Sequence, residues 1–399
     1  MPASANTTRI SSMDALRALA MFLGILLHAV MAYTVRPFEE MYQDPLYHNN
    51  AFDLIFFFIH TFRMQLFYLI AGFFFRLLYY RVGVASFIKH RTQRILLPFI
   101  IGLFTILPLT YLPGVFNSVT AGGSHFTIND LLTIIHDIFI WRGPLHLWFL
   151  YYLSLFYVIG IFILNWRRPL MKKNTLTARI LLLGVNPALA APLLIILSFL
   201  TLQLFDSPYI QYTPGLRPRI AYILYYGLFV YAGWVLHGNM PKYFPMLKRR
   251  GTLFMTIGIF CAAIVYSFAY FPAVGSNYIQ EDWMIKVLMS VTTVTLVLGL
   301  LGIFLRFVNA ESPVMRYLSD SSYWAYLVHV AIVDAVQIWL GSTSLWGPLK
   351  PLISFILPVI ISLATYQWFV RYTFIGYYLH GSRKPAVQEK KIIAESIKL

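Results

Sequence analysis

The chain has 399 residues, of which 59% are hydrophobic and only 12% are charged, and its formal net charge is +16. A soluble domain carries about 25% charged residues, so this composition excludes the ordinary water-soluble class. A single cysteine, Cys261, excludes a disulfide framework and a cysteine-based metal site. The positive charge does not indicate nucleic-acid binding, because the Lys and Arg residues stand in short clusters between apolar runs.

Long apolar runs recur along the sequence, and a membrane-spanning helix needs ~20 apolar residues to cross the ~30 Å hydrocarbon layer. The predicted spans, in chain order, are 14–34, 52–77, 93–112, 145–165, 179–204, 219–238, 252–271, 283–305, 318–340 and 349–371. A shorter apolar segment at 128–141 carries His136 and Asp137 and is predicted to be an interfacial helix. The sequence therefore predicts an all-α bundle of ten transmembrane helices over 1–381, followed by a charged cytoplasmic tail at 382–399.

The connections between the predicted spans alternate in charge. One set is rich in Lys and Arg, as in 76–94, 167–179 and 242–250, whereas the other set contains acidic segments at 39–44 and 281–282. Cytoplasmic loops of membrane proteins carry the excess of Lys and Arg. The alternation therefore predicts that the basic connections and both chain termini lie in the cytoplasm.

Ionisable residues inside the spans are the candidate functional residues, since such a residue costs a few kcal/mol in hydrocarbon. His28 follows Arg17 by eleven residues in the first span, which is about 16 Å along a helix axis. His60 and Arg63 are three residues apart in the second span and share a helix face. The same criterion selects His329 and Asp334 in the ninth span, and His146 at the outer end of the fourth.

Three histidines and an arginine are expected to meet in one buried cavity, namely His28, His60, His329 and Arg63. Such a cavity can relay a proton and stabilise negative charge on a carbonyl, because imidazole titrates near neutrality. Packing is the alternative for His60 or His329 alone, and a zinc site is a weaker one because no carboxylate or cysteine joins the histidines. Arg63 is harder to assign to packing, because it keeps its charge and needs an anionic or carbonyl partner.

A basic motif, Arg91-x-x-Arg94, precedes the third span at the predicted inner surface. Two arginines three residues apart at the start of a helix form a fork that suits a phosphate group. An ordinary positive-inside anchor is the alternative interpretation. Asp14 and Arg17 are expected to form a pair at the same surface.

The ordered series of motifs resembles the acyltransferase 3 family of integral membrane acyltransferases. The resemblance covers about 320 residues and is carried by Met13–Arg17 with His28, by Arg91-x-x-Arg94, by His146–Leu150 and by Tyr326–His329. Within the family, the stretch His60–Phe67 is most similar to the glucan biosynthesis protein C group, which attaches succinyl groups to osmoregulated periplasmic glucans. The family often has Ser-Gly where this chain has Ala71-Gly72.

The resemblance implies an O-acyltransferase of the bacterial inner membrane that uses no metal. The donor would be acyl-CoA, with succinyl-CoA expected, bound from the cytoplasm, and the acceptor would be a hydroxyl of a periplasmic glycan. His28 would be a general base or a transient acyl carrier, and Arg63 would orient the acyl carbonyl or a succinyl carboxylate. The remaining expected residues are His329 and His60 as supporting catalytic groups, Arg17, Asp14, Arg91 and Arg94 at the coenzyme, and His146 and Trp148 at the acceptor.

Two other functions compete with this interpretation. A transporter or flippase would use the same buried residues as a proton or anion path, although inverted repeats, which are typical of that class, are not evident. An acetyltransferase acting on another cell-envelope glycan would share the mechanism and differ only in its substrates.

Overall fold

In the computed structural model of the chain, the residues described are 10–38, 41–120, 126–166, 186–210, 215–270, 282–308, 310 and 312–381. These residues form helices and turns with no strand among them, which confirms the predicted all-α fold. The predicted tail at 382–399 and the start of the fifth predicted span, 179–185, lie outside the described residues.

The described part of the chain contains twelve α-helices. They are α1 (Ser11–Met31), α2 (Asn50–Arg91), α3 (Leu97–Thr120), α4 (Ile128–Ile138), α5 (Trp148–Trp166), α6 (Pro187–Leu202), α7 (Ile220–Gly238), α8 (Met240–Tyr270), α9 (Asp282–Phe307), α10 (Pro313–Gly341), α11 (Leu349–Thr365) and α12 (Phe374–His380). A π-helical turn, Thr92–Leu96, joins α2 to α3, and a second, Tyr366–Val370, follows α11. A 3-10 turn, Leu145–Leu147, opens α5.

Eight stretches of the described residues are long and apolar enough to cross a membrane, so the chain is a multi-pass membrane protein. One stretch, Asn50–Thr120, contains two predicted spans in one continuous helical run. α6 is apolar but has only 16 residues, about 24 Å of helix against a hydrocarbon layer of ~30 Å. The count of ten spans and the orientation of the termini therefore stay predictions.

α4 is the segment that the sequence predicts to be an interfacial helix. It begins with a capping box, in which the side chains of Thr127 and Asp130 each accept a hydrogen bond from the other residue's backbone amide. Its eleven residues are too few to cross the apolar layer, since they extend for about 16 Å.

α2 is bent at Gly83, where the backbone leaves the helical region with φ 76° and ψ 170°. A positive φ of this size suits glycine, which has no Cβ to clash with the backbone. The bend separates the long apolar part of α2 from the short basic part that leads to Arg91 and the π-helical turn.

α1 is the central helix, since it packs against α2, α9, α10 and α11 and is mostly buried. Its first turns lie at the end of the bundle that also holds Arg91, Arg94 and Arg371, which we call the basic end. Its last turn lies at the opposite end, beside the connection 41–49.

A buried ion pair closes the opposite end of the bundle. Asp44, in the connection between α1 and α2, lies 2.9 Å from Nζ of Lys350 at the start of α11, and their side chains are 0% and 1% exposed. The carboxylate of Asp44 also accepts hydrogen bonds from the amides of Leu46 and Tyr47. The connection is thus held against α11.

α2 and α7 come into close contact at two glycines. A Cβ at Gly72 would overlap the carbonyl of Val230, and a Cβ at Gly233 would overlap that of Leu69. Small residues allow membrane helices to approach this closely. The contact fixes the position of α2, which carries three of the candidate residues, His60, Arg63 and Arg91.

Substituting Gly72 tests this contact. Gly72→Ala should lower the free energy of unfolding by about 1–3 kcal/mol, because the new methyl group meets backbone atoms that cannot move aside. Thermal unfolding of the purified protein in detergent measures the change. Gly114→Ala is the matched control, since nothing lies within 4 Å of that position and alanine favours a helix. Equal melting temperatures for the two variants would contradict the prediction.

Candidate active site

Three histidine rings from three different elements meet inside the bundle. His28 of α1 and His329 of α10 are in edge-to-face contact, with 5.2 Å between their ring centroids. His146, in the 3-10 turn before α5, contacts His329 with a centroid separation of 5.4 Å. His329 therefore lies between the other two rings, and the cluster joins α1, α10 and the start of α5.

Hydrogen bonds decide which nitrogen of two of these rings carries the proton in the neutral form. His146 Nε2 lies 3.0 Å from the carbonyl oxygen of Leu327, and His329 Nδ1 lies 2.8 Å from that of Tyr326. A carbonyl only accepts, so both nitrogens donate. The lone pairs are then on His146 Nδ1 and His329 Nε2, and both atoms are buried with no hydrogen-bond partner among the described residues. The cluster thus offers two proton-accepting nitrogens that are not in use.

A strained turn brings His146 to the cluster. Leu145 has a φ of 42°, and it is the one non-glycine residue with positive φ in the described part of the chain. Strain of this kind persists where surrounding contacts enforce it, and it is concentrated at functional sites. The hydroxyl of Tyr326 donates to the carbonyl oxygen of His146 at 2.7 Å, and the two rings pack against each other.

Arg63 contributes a positive charge to the same region from α2. Its guanidinium lies against Gly24 of α1, about one helical turn before His28, in space that a Cβ at Gly24 would occupy. The polar contact of its Nη2 is weak, at 3.7 Å from Sδ of Met64, and its Nε is buried without a partner. No carboxylate in the described ranges forms an ion pair with Arg63. The site therefore contains a cation that lacks an anion.

His60 lies beside the histidine cluster without contacting its rings. Its Nε2 is 3.0 Å from the carbonyl oxygen of Ile210, in the segment before α7. Residues three apart on a helix differ by about 60° in direction, so His60 faces that segment while Arg63 faces α1. The cluster differs from the prediction in this member, because His146 occupies the position expected for His60.

Two residues that no sequence pattern singles out position α1 at the site. Gln337 of α10 donates from Nε2 to the carbonyl oxygens of His28 and Ala29, each at 3.0 Å. Gly24 leaves the space that Arg63 occupies. Glutamine and glycine are ordinary residues in a polytopic bundle, so only the packing identifies them.

Two predicted candidates lie outside the cluster. Trp148 packs with Tyr152 and Tyr226, at ring-centroid separations of 5.9 and 5.6 Å. Asp334 is five residues beyond His329 on α10, and its Oδ1 is buried with no hydrogen-bond partner among the described residues. The described contacts join neither residue to the three histidines.

At the basic end, the predicted pair forms. Arg17 lies 3.2 Å from Oδ1 of Asp14 and donates to the hydroxyl of Ser319 at 2.8 Å. Its guanidinium also lies 5.8 Å from the ring centroid of Phe74, and Arg91 donates to the carbonyl oxygen of Phe74 at 3.4 Å. Arg17 and Arg91 are far apart in the sequence, and both contact Phe74 of α2.

Arg91 and Arg94 have different neighbours, although the sequence predicts a common fork. The guanidinium of Arg91 lies 4.8 Å from the ring centroid of Tyr157, whereas that of Arg94 lies against Gly381, after α12. Arg91 immediately precedes the π-helical turn Thr92–Leu96 and Arg94 lies inside it, and the wider winding of a π-helix changes the angle between residues three apart. The motif lies at the basic end, and the common phosphate fork stays a prediction.

An aromatic face of α10 connects the basic end to the histidine cluster. Tyr323, Tyr326 and His329 follow one another at intervals of three, with ring centroids 6.3 and 6.2 Å apart. The hydroxyl of Tyr323 donates to the carbonyl oxygen of Arg94 at 2.9 Å. The face therefore extends for about 9 Å from the arginines to the histidines.

The arrangement combines proton-accepting nitrogens with an unpaired cation inside an apolar bundle. These are the groups that remove a proton from a hydroxyl and stabilise a developing oxyanion. In the part of the chain that the structure describes, no three His, Cys, Asp or Glu side chains are placed to hold a metal ion.

Comparison with known proteins shows the family of the chain. A family model described as an acyltransferase domain, acyltransferase 3, matches residues 10–367 of the chain. Among curated proteins, the chain is 26% identical over 390 residues to glucans biosynthesis protein C of Escherichia coli O17:K52:H18 (strain UMN026 / ExPEC), covering 95% of each chain. It is 25% identical over 388 residues to the protein of the same name from Escherichia coli O1:K1 / APEC, again covering 95% of each. No solved structure matches the chain.

Proposed function

This chain belongs to the acyltransferase 3 family and is a membrane acyltransferase, and we propose that it moves a succinyl group from acyl-CoA in the cytoplasm to a hydroxyl of a periplasmic glucan. The name of the relatives, glucans biosynthesis protein C, supports a glucan as acceptor. The localisation that follows is the bacterial inner membrane. Family membership favours group transfer over the transport that the buried residues alone leave open.

The basic end is the proposed entry site of the donor. Arginine side chains suit the phosphates of coenzyme A, and Arg17, Arg91 and Arg94 lie at this end. The thioester is at the other end of the extended coenzyme arm, so the donor would follow the aromatic face of α10 inward. It would reach the histidines about 16 Å from Arg17, the rise over the eleven residues that separate Arg17 from His28.

His28 is the proposed general base. The acceptor oxygen attacks the thioester carbonyl, the ester C–O bond forms, and the C–S bond breaks. The hydroxyl proton passes to the imidazole and then to the leaving thiolate, which departs as the thiol of coenzyme A. His329, in contact with His28, would orient the base, and Arg63 would hold the acyl group in place for attack.

The unpaired charge of Arg63 is the observation that supports a dicarboxylic acyl group. A guanidinium in an apolar bundle needs an anionic partner, and no carboxylate in the described ranges supplies one. The free carboxylate of a succinyl group would be that partner when the donor is bound. An acetyl group would leave the charge unpaired.

Replacing His28 tests the catalytic proposal. His28→Ala should lower transfer of labelled acyl groups to glucan by about 10²–10⁴-fold, because the general base is lost. The measurement uses inverted membrane vesicles with labelled succinyl-CoA, and immunoblotting verifies equal protein levels. His136→Ala removes an exposed histidine of α4 and should keep full activity. Undiminished transfer by His28→Ala would exclude His28 as the base, and label crossing the membrane without reaching glucan would indicate a transporter.

Replacing Arg63 tests the choice of acyl group. Arg63→Gln should lower kcat/KM for succinyl-CoA by about 10²-fold and that for acetyl-CoA much less, since only succinyl offers a carboxylate to the guanidinium. Gly24→Ala should have a smaller effect in the same direction, because the added methyl group displaces the Arg63 side chain. Arg142→Gln, at an exposed cation, is the control. An equal loss with both donors would show that Arg63 does not recognise the carboxylate.

Replacing the arginines of the basic end tests the donor site. Arg17→Ala and Arg91→Ala should each raise the KM for succinyl-CoA by about 10-fold with a smaller change in kcat. This is expected because the arginines would bind the phosphates of the donor equally strongly in the ground state and in the transition state. Arg94→Ala reports whether the second arginine of the motif also contacts the donor. Arg250→Ala, at an exposed basic position of α8, is the control. An unchanged KM in Arg91→Ala would refute the phosphate site.

A further inference from the structure

A cavity lies between α2, α7 and α9, and it is closed by residues of the segment that precedes α7. It is narrow and partly open, with room for roughly one or two water molecules. It lies away from the basic end, since the closing segment follows α6 and His60 is in the first half of α2. The lining residues are His60, Thr61, Met64, Gln65, Pro208, Tyr209, Ile210, Tyr225, Tyr226, Met289 and Thr293.

The cavity contains an unsatisfied amide. Gln65 is only 5% exposed, and its Nε2 donates to the hydroxyl of Tyr225 at 3.2 Å. Its Oε1 is buried and has no hydrogen-bond partner among the described residues. Leaving such a group unpaired costs about 1–3 kcal/mol. A ligand that hydrogen-bonds to this amide would therefore gain affinity.

The chemistry of the lining favours a hydroxyl group as that ligand. A hydroxyl donates as well as accepts, so it can pair with the free end of the Gln65 amide whichever way the amide is turned. A carboxylate only accepts, and the lining residues of the described part of the chain include no Lys or Arg to pair with it. The aromatic rings of Tyr209, Tyr225 and Tyr226 give the remaining wall a flat apolar surface, and the narrow space admits one substituent of a ring rather than a whole ring.

The cavity adjoins the proposed reaction site. Met64 lines it and also contacts Nη2 of Arg63 through its sulfur atom. His60, three residues before Arg63 on α2, forms another wall. If Arg63 holds the acyl group as proposed, a group in the cavity would lie beside the reaction site across Met64.

We infer that this cavity, through Gln65 and Tyr225, binds a non-reacting hydroxyl or hydroxymethyl substituent of the acceptor sugar and so positions the neighbouring hydroxyl for acylation. This inference rests on the proposed function, since it assigns the acceptor of the same reaction to a subsite. It makes Gln65 and Tyr225 acceptor-binding residues.

The test compares kinetic constants for the two substrates. Gln65→Leu and Tyr225→Phe should each raise the KM for a linear glucan oligosaccharide by about 10-fold, the cost of one lost hydrogen bond in a buried site, while acyl-CoA binding is unchanged. Gln203→Leu, at the exposed end of α6, and Tyr231→Phe, on the exposed side of α7, are matched controls. Thermal unfolding and acyl-CoA binding verify that each variant is folded.

A binding measurement separates this inference from the proposed function. Isothermal titration of the oligosaccharide into purified protein without donor should give a Kd about 10-fold higher for Gln65→Leu than for the wild type. That result in a protein that transfers nothing to glucan would support the subsite and refute the proposed reaction. A folded variant with unchanged acceptor KM and Kd, or one in which the donor KM rises instead, would refute the subsite.

Discussion

A guanidinium group keeps its charge inside a protein. The packing at the centre of this bundle has to accommodate one such group, the side chain of Arg63. Arg63 needs space among apolar helices, and α1 provides it through a glycine at position 24. Because α1 packs against α2, α9, α10 and α11, the same approach brings His28 onto His329. The burial of Arg63, the glycine at position 24 and the contact of His28 with His329 therefore depend on one another. Each of them involves more than one helix.

The bundle separates two kinds of recognition along the axis of α1. Arginine, aspartate and serine side chains gather at the basic end, where Arg17 contacts Asp14 and Ser319. Farther along the axis lie the imidazoles of His28, His146 and His329, with the guanidinium of Arg63 near them. The proposed reaction, in which a charged donor and a neutral acceptor arrive from different sides, would use this separation.

The sequence predicts the parts of this arrangement that depend on the cost of burying charge. His28, Arg63 and Arg17 stand out because ionisable residues are rare in apolar runs. His146 is harder to place from the sequence, since it lies at the end of a predicted span, and the strained turn at Leu145 brings it to the cluster. The position of Arg91 and Arg94 at the inner surface is predicted from charge, whereas the π-helical turn that contains Arg94 is not. No sequence pattern identifies Gly24, Gln65 or Gln337, because their roles depend on the residues that other helices place beside them.

The pair of Asp44 and Lys350 has a mechanical consequence for the end of the bundle that it closes. Both charges are withdrawn from water, so separating them exposes two unpaired ions at once or leaves one stranded in an apolar environment. Partial opening of this end of the bundle is therefore costly. The connection 41–49 is expected either to stay packed against α11 or to separate from it completely.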